Sequence, residues 1–178
     1  MENIILTGYM GCGKTTVGKY VAKRLEYTFI DTDEMIAEQQ CRSINEIFAD
    51  DGEAAFRVME TELLKQLIDT KRDHLVISTG GGMPVREENR QLLALLGRVV
   101  YLKASPETIY GRVKGDTARP LLRCENPMKR IEEMLTVREP LYEAGAAVIV
   151  DVDGLKQAEA ASEIIERCKL KRVHKNGR

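Results

Sequence analysis

The sequence predicts an α/β fold built on a parallel sheet whose strands are buried on both faces. Three observations predict it. Five short apolar runs, at residues 4–6, 28–30, 75–78, 99–102 and 147–150, lack the polar alternation of half-exposed strands. Segments of helical period separate them, and strands alternating with helices imply parallel pairing through right-handed crossovers. A glycine-rich segment joins the first run directly to the first helix.

Along the chain, residues 14–25 form the first helix. Residues 34–52 insert further helical material after the second strand. Phe56, Met59, Leu63 and Leu67, spaced three, four and four, make one helix stripe. Residues 86–96 form the helix before the fourth run. Ser105-Pro106 reads as an N-cap followed by proline at the first helical position. Helices over 127–142 and 155–168 complete the pattern. Residues 113–126 have no sustained period, and Gly115 and Pro120 interrupt them; a loop this long is uncommon unless it has a function. The tail, 169–178, carries five Lys/Arg and reads as a solvated end.

Composition narrows the partners. A length of 178 residues suits one domain. With 27 basic and 28 acidic residues the net charge is −1, which excludes a globally basic nucleic-acid binder and requires any anion site to be built locally. No apolar run approaches a membrane span, and no basic segment precedes the first strand, so neither a membrane partner nor a signal peptide is expected. Cys12, Cys41, Cys124 and Cys168 form no CxxC pair, which argues against a zinc or disulfide framework and for a reducing compartment. A soluble cytoplasmic protein is the expectation. With no Trp, the core is expected to be mostly aliphatic.

The segment Gly8-Tyr9-Met10-Gly11-Cys12-Gly13-Lys14-Thr15 fits G-x-x-x-x-G-K-[ST], after a strand and opening a helix. Its glycines let backbone N–H groups converge on phosphate oxygens, and the helix N-terminus adds its positive end. Lys14 then reaches the β- and γ-phosphates, and the Thr15 hydroxyl ligates Mg²⁺. No Asn-Lys-x-Asp base-reading segment is present, which disfavours a GTPase and leaves a small phosphotransferase as the favoured class.

Asp31 and Asp33 end the second run. In extended chain they point to one side, toward the crevice at the strand C-termini; alternatively Asp33 only caps the next helix. Arg57 and Glu60 are spaced to pair, as an exposed ion pair of little consequence. Arg138 continues the stripe Ile131, Met134, Leu135, so it lies on an inward face, either as a clamp for a ligand carboxylate or phosphate or as a tertiary ion pair. Gly80, Gly81 and Gly82 follow the third run directly and suggest close backbone approach to a ligand, or a plain loop. Arg112, Arg119 and Arg123 lie in or beside 113–126, as a lid bringing charge to a transferring phosphoryl group or as a solvated cluster.

Taken together these residues closely resemble the shikimate kinase family, within the nucleoside-monophosphate-kinase-like branch of P-loop proteins. The resemblance spans nearly the whole chain. It rests on the phosphate loop at 8–15, Asp-Thr-Asp at 31–33, Ser-Ile-Asn-Glu-Ile-Phe at 43–48, Gly-Glu-x-x-Phe-Arg-x-x-Glu at 52–60, Gly-Gly-Gly at 80–82, Arg-Pro-Leu-Leu at 119–122 and Arg-Glu-Pro-Leu-Tyr at 138–142. It implies a three-layer P-loop kinase fold with a five-stranded parallel sheet of order 2-3-1-4-5. One domain would span 1–178, with a substrate-binding insert at 34–60, a lid at 113–126 and the basic tail. The implied reaction is ATP + shikimate → ADP + 3-phosphoshikimate, toward chorismate and the aromatic amino acids, by a cytoplasmic monomer. By resemblance, Gly11, Cys12, Gly13, Lys14, Thr15 and Thr16 hold the ATP phosphates, and Arg112 stacks on adenine. Thr15 and Asp31 hold one Mg²⁺. Asp33, Arg57, Gly80, Gly81, Gly82 and Arg138 bind shikimate, with Lys14, Asp33 and the lid residue Arg119 as the catalytic group. A gluconate or nucleoside-monophosphate kinase is disfavoured by the Arg57/Arg138 pair and the glycine run, and a catalytically dead P-loop module by the intact Lys14, Thr15, Asp31, Asp33 and Arg119.

Overall fold

Strand β1 (Asn3–Thr7) is the central strand of a five-stranded parallel sheet, between β3 (Leu75–Ser78) and β4 (Gly97–Lys103), with β2 (Thr28–Asp31) and β5 (Val148–Asp151) at the edges. The order is β2-β3-β1-β4-β5, as the resemblance implied. The computed structural model describes residues 2–114 and 125–170. Arg119 and Arg123, with residues 115–124 of the expected lid and the tail beyond 170, lie outside the described residues.

Two-sided burial is complete for β1 and β3 and for the middle of β4. The edge strands depart from the expectation: β2 has no buried residue and β5 only Val150, because an edge strand lacks a neighbour on one side. Along β1 the side chains alternate between two cores. Ile4 and Leu6 join α1 (Lys14–Leu25), α6 (Pro106–Val113), α7 (Pro127–Gly145) and α8 (Gln157–Arg167) on one face. Ile5 joins α4 (Gly52–Asp69) and α5 (Glu87–Leu96) on the other. The Phe56, Met59, Leu63, Leu67 stripe lies in this second core, with Met59 only partly buried. Residues 34–52 supply most of α2 (Thr32–Gln40) and all of α3 (Ile44–Asp50). Ser43 and Glu46 close a capping box at the start of α3. At α6 the Ser105 hydroxyl accepts the Thr108 N–H, as the Ser-Pro pair predicts.

The aliphatic core is broken by four buried tyrosines, Tyr9, Tyr27, Tyr101 and Tyr142. The Tyr101 and Tyr142 rings pack 5.2 Å apart. Such a ring stays buried when its hydroxyl has a partner; Tyr142 finds one at the Gly81 carbonyl, 2.6 Å away. Among the described residues Cys12, Cys41 and Cys168 are unpaired thiols, and no helix is long and apolar enough to cross a membrane.

The end of the sheet remote from the phosphate loop is joined by one side chain. Asn3, 4% exposed, accepts the Leu75 N–H at 3.0 Å and donates to the carbonyls of Arg72 at 2.9 Å and Leu96 at 3.0 Å. It thereby ties β1 to the start of β3 and the end of α5. Asn3→Ala strands these buried groups and should lower stability by about 2–3 kcal/mol. In urea unfolding the midpoint should fall at an unchanged slope.

Candidate active site

The phosphate loop leaves β1 and turns into α1 through Gly8, Gly11 and Gly13, with φ of 138°, 77° and 102°. Gly13 is the N-cap and offers no side chain, so the first N–H groups of α1 are open to an anion. The Lys14 ammonium is buried against its own loop, donating to the carbonyls of Gly8 at 2.8 Å and Tyr9 at 3.0 Å. The Thr15 hydroxyl donates to Asp31 Oδ2 at 3.1 Å and lies 3.5 Å from the Ser78 hydroxyl. No motif or local spacing singles out Ser78 in the sequence; its place opposite Asp31 follows from the β2–β3 register.

Residues 11–16 form one wall of a cavity of about 360 Å³, and Asp31, Asp33, Ser78, Gly80 and Gly81 form the other. Arg112 also lines it, with Val152 and Leu155 nearby. Its guanidinium donates to the carbonyls of Cys12 at 3.0 Å, Gly11 at 3.3 Å and Val152 at 3.4 Å, which ties α6 to the phosphate loop.

Asp33 reaches this cavity by a different route from the one expected. The chain does not stay extended to residue 33. The Asp31 carboxylate accepts the Asp33 N–H at 3.1 Å and caps α2, so Asp33 sits in the first helical turn. The cap is therefore Asp31, not Asp33. Asp33 Oδ1 is buried with no hydrogen-bond partner. Burial, and then the charge of Asp31, push its pKa up to about 6, against the pull of Lys14 and Arg57. A β-carbon on Gly80 would lie 2.5 Å from Asp33 Oδ1, so only glycine lets this carboxylate rest on the end of β3.

The Arg57–Glu60 pair is not the exposed one expected from spacing. The Glu60 side chain is 0% exposed, and its Oε2 accepts from Arg57 at 2.8 Å. Arg57 also binds Glu53 at 2.7 Å. Burial drives the Glu60 pKa up to about 7 even though Arg57 opposes it. The sequence carries a signal for this: Glu60 lies four after Phe56 and three before Leu63, on the buried stripe of α4. Arg57 packs where a Gly82 side chain would be. On α7, Arg138 is half-buried, and the Tyr142 hydroxyl one turn later donates to Gly81 O at 2.6 Å. Burial raises the Tyr142 pKa, and Arg138 offsets part of the rise. Arg57, Gly82 and Arg138 thus adjoin the cavity without lining it.

The Thr15, Asp31 and Ser78 oxygens form an all-oxygen cluster at the foot of the phosphate loop, the donor set a hard divalent cation prefers. Among the described residues no group of three or more His, Cys, Asp or Glu could hold a metal unaided.

A family model described as shikimate kinase matches residues 10–169. A shikimate kinase of Thermodesulfovibrio yellowstonii is 46% identical over 166 residues, 93% of this chain and 94% of that protein. One of Deinococcus radiodurans is 42% identical, over 92% of this chain and 82% of that protein. Among solved structures, the shikimate kinase of Acinetobacter baumannii in complex with shikimate superposes with a TM-score of 0.89 at 37% identity, covering 95% of this chain and 93% of that one. A match this long, on relatives covered almost end to end, joins the sheet order and the phosphate loop in one conclusion: the chain belongs to the shikimate kinase family.

Proposed function

We propose that the chain transfers the terminal phosphoryl group of ATP to the 3-hydroxyl of shikimate, giving ADP and 3-phosphoshikimate on the route to chorismate. The observation that carries this reading is Asp33: a buried carboxylate with a free oxygen, in the same cavity as the phosphate loop and within electrostatic reach of Lys14 and Arg57. Free thiols among the described residues support a reducing, cytoplasmic setting.

Phosphoryl transfer through a loose transition state asks mainly for positioning and charge neutralisation. Lys14 rests on two neutral carbonyls. Phosphate oxygens are stronger, charged acceptors and draw the ammonium to the transferring group. Residues 11–16 offer the loop N–H groups. A divalent cation, Mg²⁺ in this reading, neutralises phosphate charge when bound, and Thr15 with Asp31 would hold it. Asp33 accepts the hydrogen bond of the attacking hydroxyl and can take its proton late, since a pKa near 6 suits a base working near neutrality. Arg57, held by buried Glu60, and Arg138 take the shikimate carboxylate, with Gly80, Gly81 and Gly82 supplying close backbone. Arg112 borders the adenine side. By resemblance the lid at 113–126 brings Arg119 to the phosphates, and residues 34–60 form the acceptor-binding insert.

Purified protein with Mg-ATP should release ADP when shikimate is added, while gluconate and AMP give little above background in the same coupled assay. Turnover of AMP with none of shikimate would overturn the reading. Lys14→Ala should lower kcat by at least ~10²-fold through loss of a fixed charge on the transferring phosphates, with the circular dichroism spectrum unchanged.

Asp33→Asn separates function from stability. Its kcat should fall at least ~10²-fold, and wild-type kcat/KM for shikimate should fall as pH drops below about 6. Stability should move the other way. The folded pKa, about 6, lies above the ordinary 3.8, so between these values the folded state binds more protons than the unfolded one. The contribution of this carboxyl to stability therefore declines as pH rises through that window and stays unfavourable above it. The Asp33→Asn variant, with no charge to bury, escapes the penalty. Its melting temperature should exceed that of wild type above pH 6, and the gap should close toward pH 4.

A further inference from the structure

Behind the three-glycine segment lies a buried polar network that the proposed reaction does not use. Asn89 on α5 is 0% exposed, and Thr61 on α4 is 4% exposed. Asn89 Nδ2 donates to Met83 O at 3.0 Å, and the Thr61 hydroxyl donates to Asn89 Oδ1 at 2.7 Å. Met83 follows Gly82 directly, and its own N–H donates to Gly80 O at 3.2 Å. Arg86 Nη1 donates to Arg57 O at 3.1 Å and to Thr61 Oγ1 at 3.2 Å. Donor and acceptor types fix this arrangement. Met83 O can only accept, so it faces the Asn89 amide NH₂ and leaves Oδ1 to Thr61. Oδ1 can only accept as well, so the single hydroxyl proton of Thr61 goes to Asn89, and Arg86 serves the Arg57 carbonyl.

We propose that Asn89 and Thr61 are positioning residues for the phosphoryl acceptor: their hydrogen bond ties the Arg57 turn of α4 to the peptide that follows Gly82, and so sets where the Arg57 guanidinium stands over the glycine segment. The inference rests on the reading of Arg57 and Gly82 as acceptor-binding residues. Arg57 lies one turn before Thr61, and its guanidinium occupies the space of a Gly82 side chain. Its ion-pair partners, Glu53 and Glu60, belong to α4 itself. They hold the guanidinium relative to its own helix and not relative to the sheet. The Thr61–Asn89–Met83 bridge supplies a directional link between that helix and the glycine segment. Neither Asn89 nor Thr61 lines the cavity, so each acts through another group. The benefit is pre-organisation: an acceptor held by an arginine and by close backbone needs both at a fixed spacing before it binds.

Thr61→Val keeps the side-chain shape and deletes the hydroxyl. The KM for shikimate should rise about tenfold, on the order of one hydrogen bond. The change in kcat should be smaller, and the KM for ATP should stay as in wild type. Thr61→Ser, which restores the hydroxyl, should return the KM for shikimate to near the wild-type value. Arg86→Met, at an exposed position, withdraws the outer bonds of the network and should raise that KM about threefold. In an Arg57→Ala background both Thr61→Val and Arg86→Met should raise it much less, because the group they position is gone. Melting temperatures recorded in parallel separate loss of fold from loss of positioning: a purely packing role lowers the melting point and leaves KM alone. Should Thr61→Val lose its cooperative melt, Arg86→Met decides by itself. Unchanged KM in these variants beside a raised KM in Arg57→Ala overturns the positioning role and leaves the proposed function standing. Equal effects in both backgrounds overturn it as well, and so does a Thr61→Ser variant as impaired as Thr61→Val. An unchanged KM in Arg57→Ala overturns it by a different route, through the acceptor assignment on which it rests.

Discussion

Steric room at the end of β3 is the constraint on which the site depends. Asp33 rests its carboxylate where a Gly80 side chain would be, and Arg57 fills the space a Gly82 side chain would take. Any β-carbon at either position would push a charged group away from the sheet edge. Gly81, between them, faces the phosphate loop on one side and Tyr142 on the other. The three-glycine segment is thus the spacer between the phosphate loop and the half of the site proposed to take the acceptor. Its thinness sets how near the two can come.

That closeness has an electrostatic consequence. Asp33 and Glu60 are both buried enough to resist ionisation, and the charge of Asp33 adds to the rise at Glu60. Buried ion pairs such as Arg57–Glu60 are weak evidence for stability, because desolvation opposes the Coulombic gain. The arrangement makes better sense as function. Glu60 keeps Arg57 in place from beneath, and Asp33 is left with an unfilled hydrogen-bonding oxygen and a pKa near 6, a suitable state for receiving a hydroxyl.

The supporting fold is ordinary by comparison. Parallel strands bring Thr7, Asp31 and Ser78 to a common edge through their register, and the crossover helices cover the two faces. Asn3 closes the opposite edge. The chemistry therefore sits at one end of the sheet, supported by a hydrogen-bonded clasp at the other.

Local and contiguous features were legible in the amino-acid sequence. The phosphate loop, the Ser105 cap and the alternation of strands and helices each depend on neighbours a few residues apart, so spacing alone specifies them. Sheet order became readable through resemblance of several motifs in combination. Tertiary structure decided what spacing could not. It bent the chain at Asp31 and moved Asp33 from strand to helix, because a side-chain cap outweighed continued extension. It turned Arg57–Glu60 from a surface pair into a buried one, because α4 packs its Glu60 face inward against the sheet. It left β2 and β5 half exposed by placing them at the edges, and it joined α7 to Gly81 through Tyr142, 61 residues distant in sequence from that glycine. In each case the deciding quantity is burial or a long-range contact, which depends on the packing partner a face meets and is not encoded in the residues on either side.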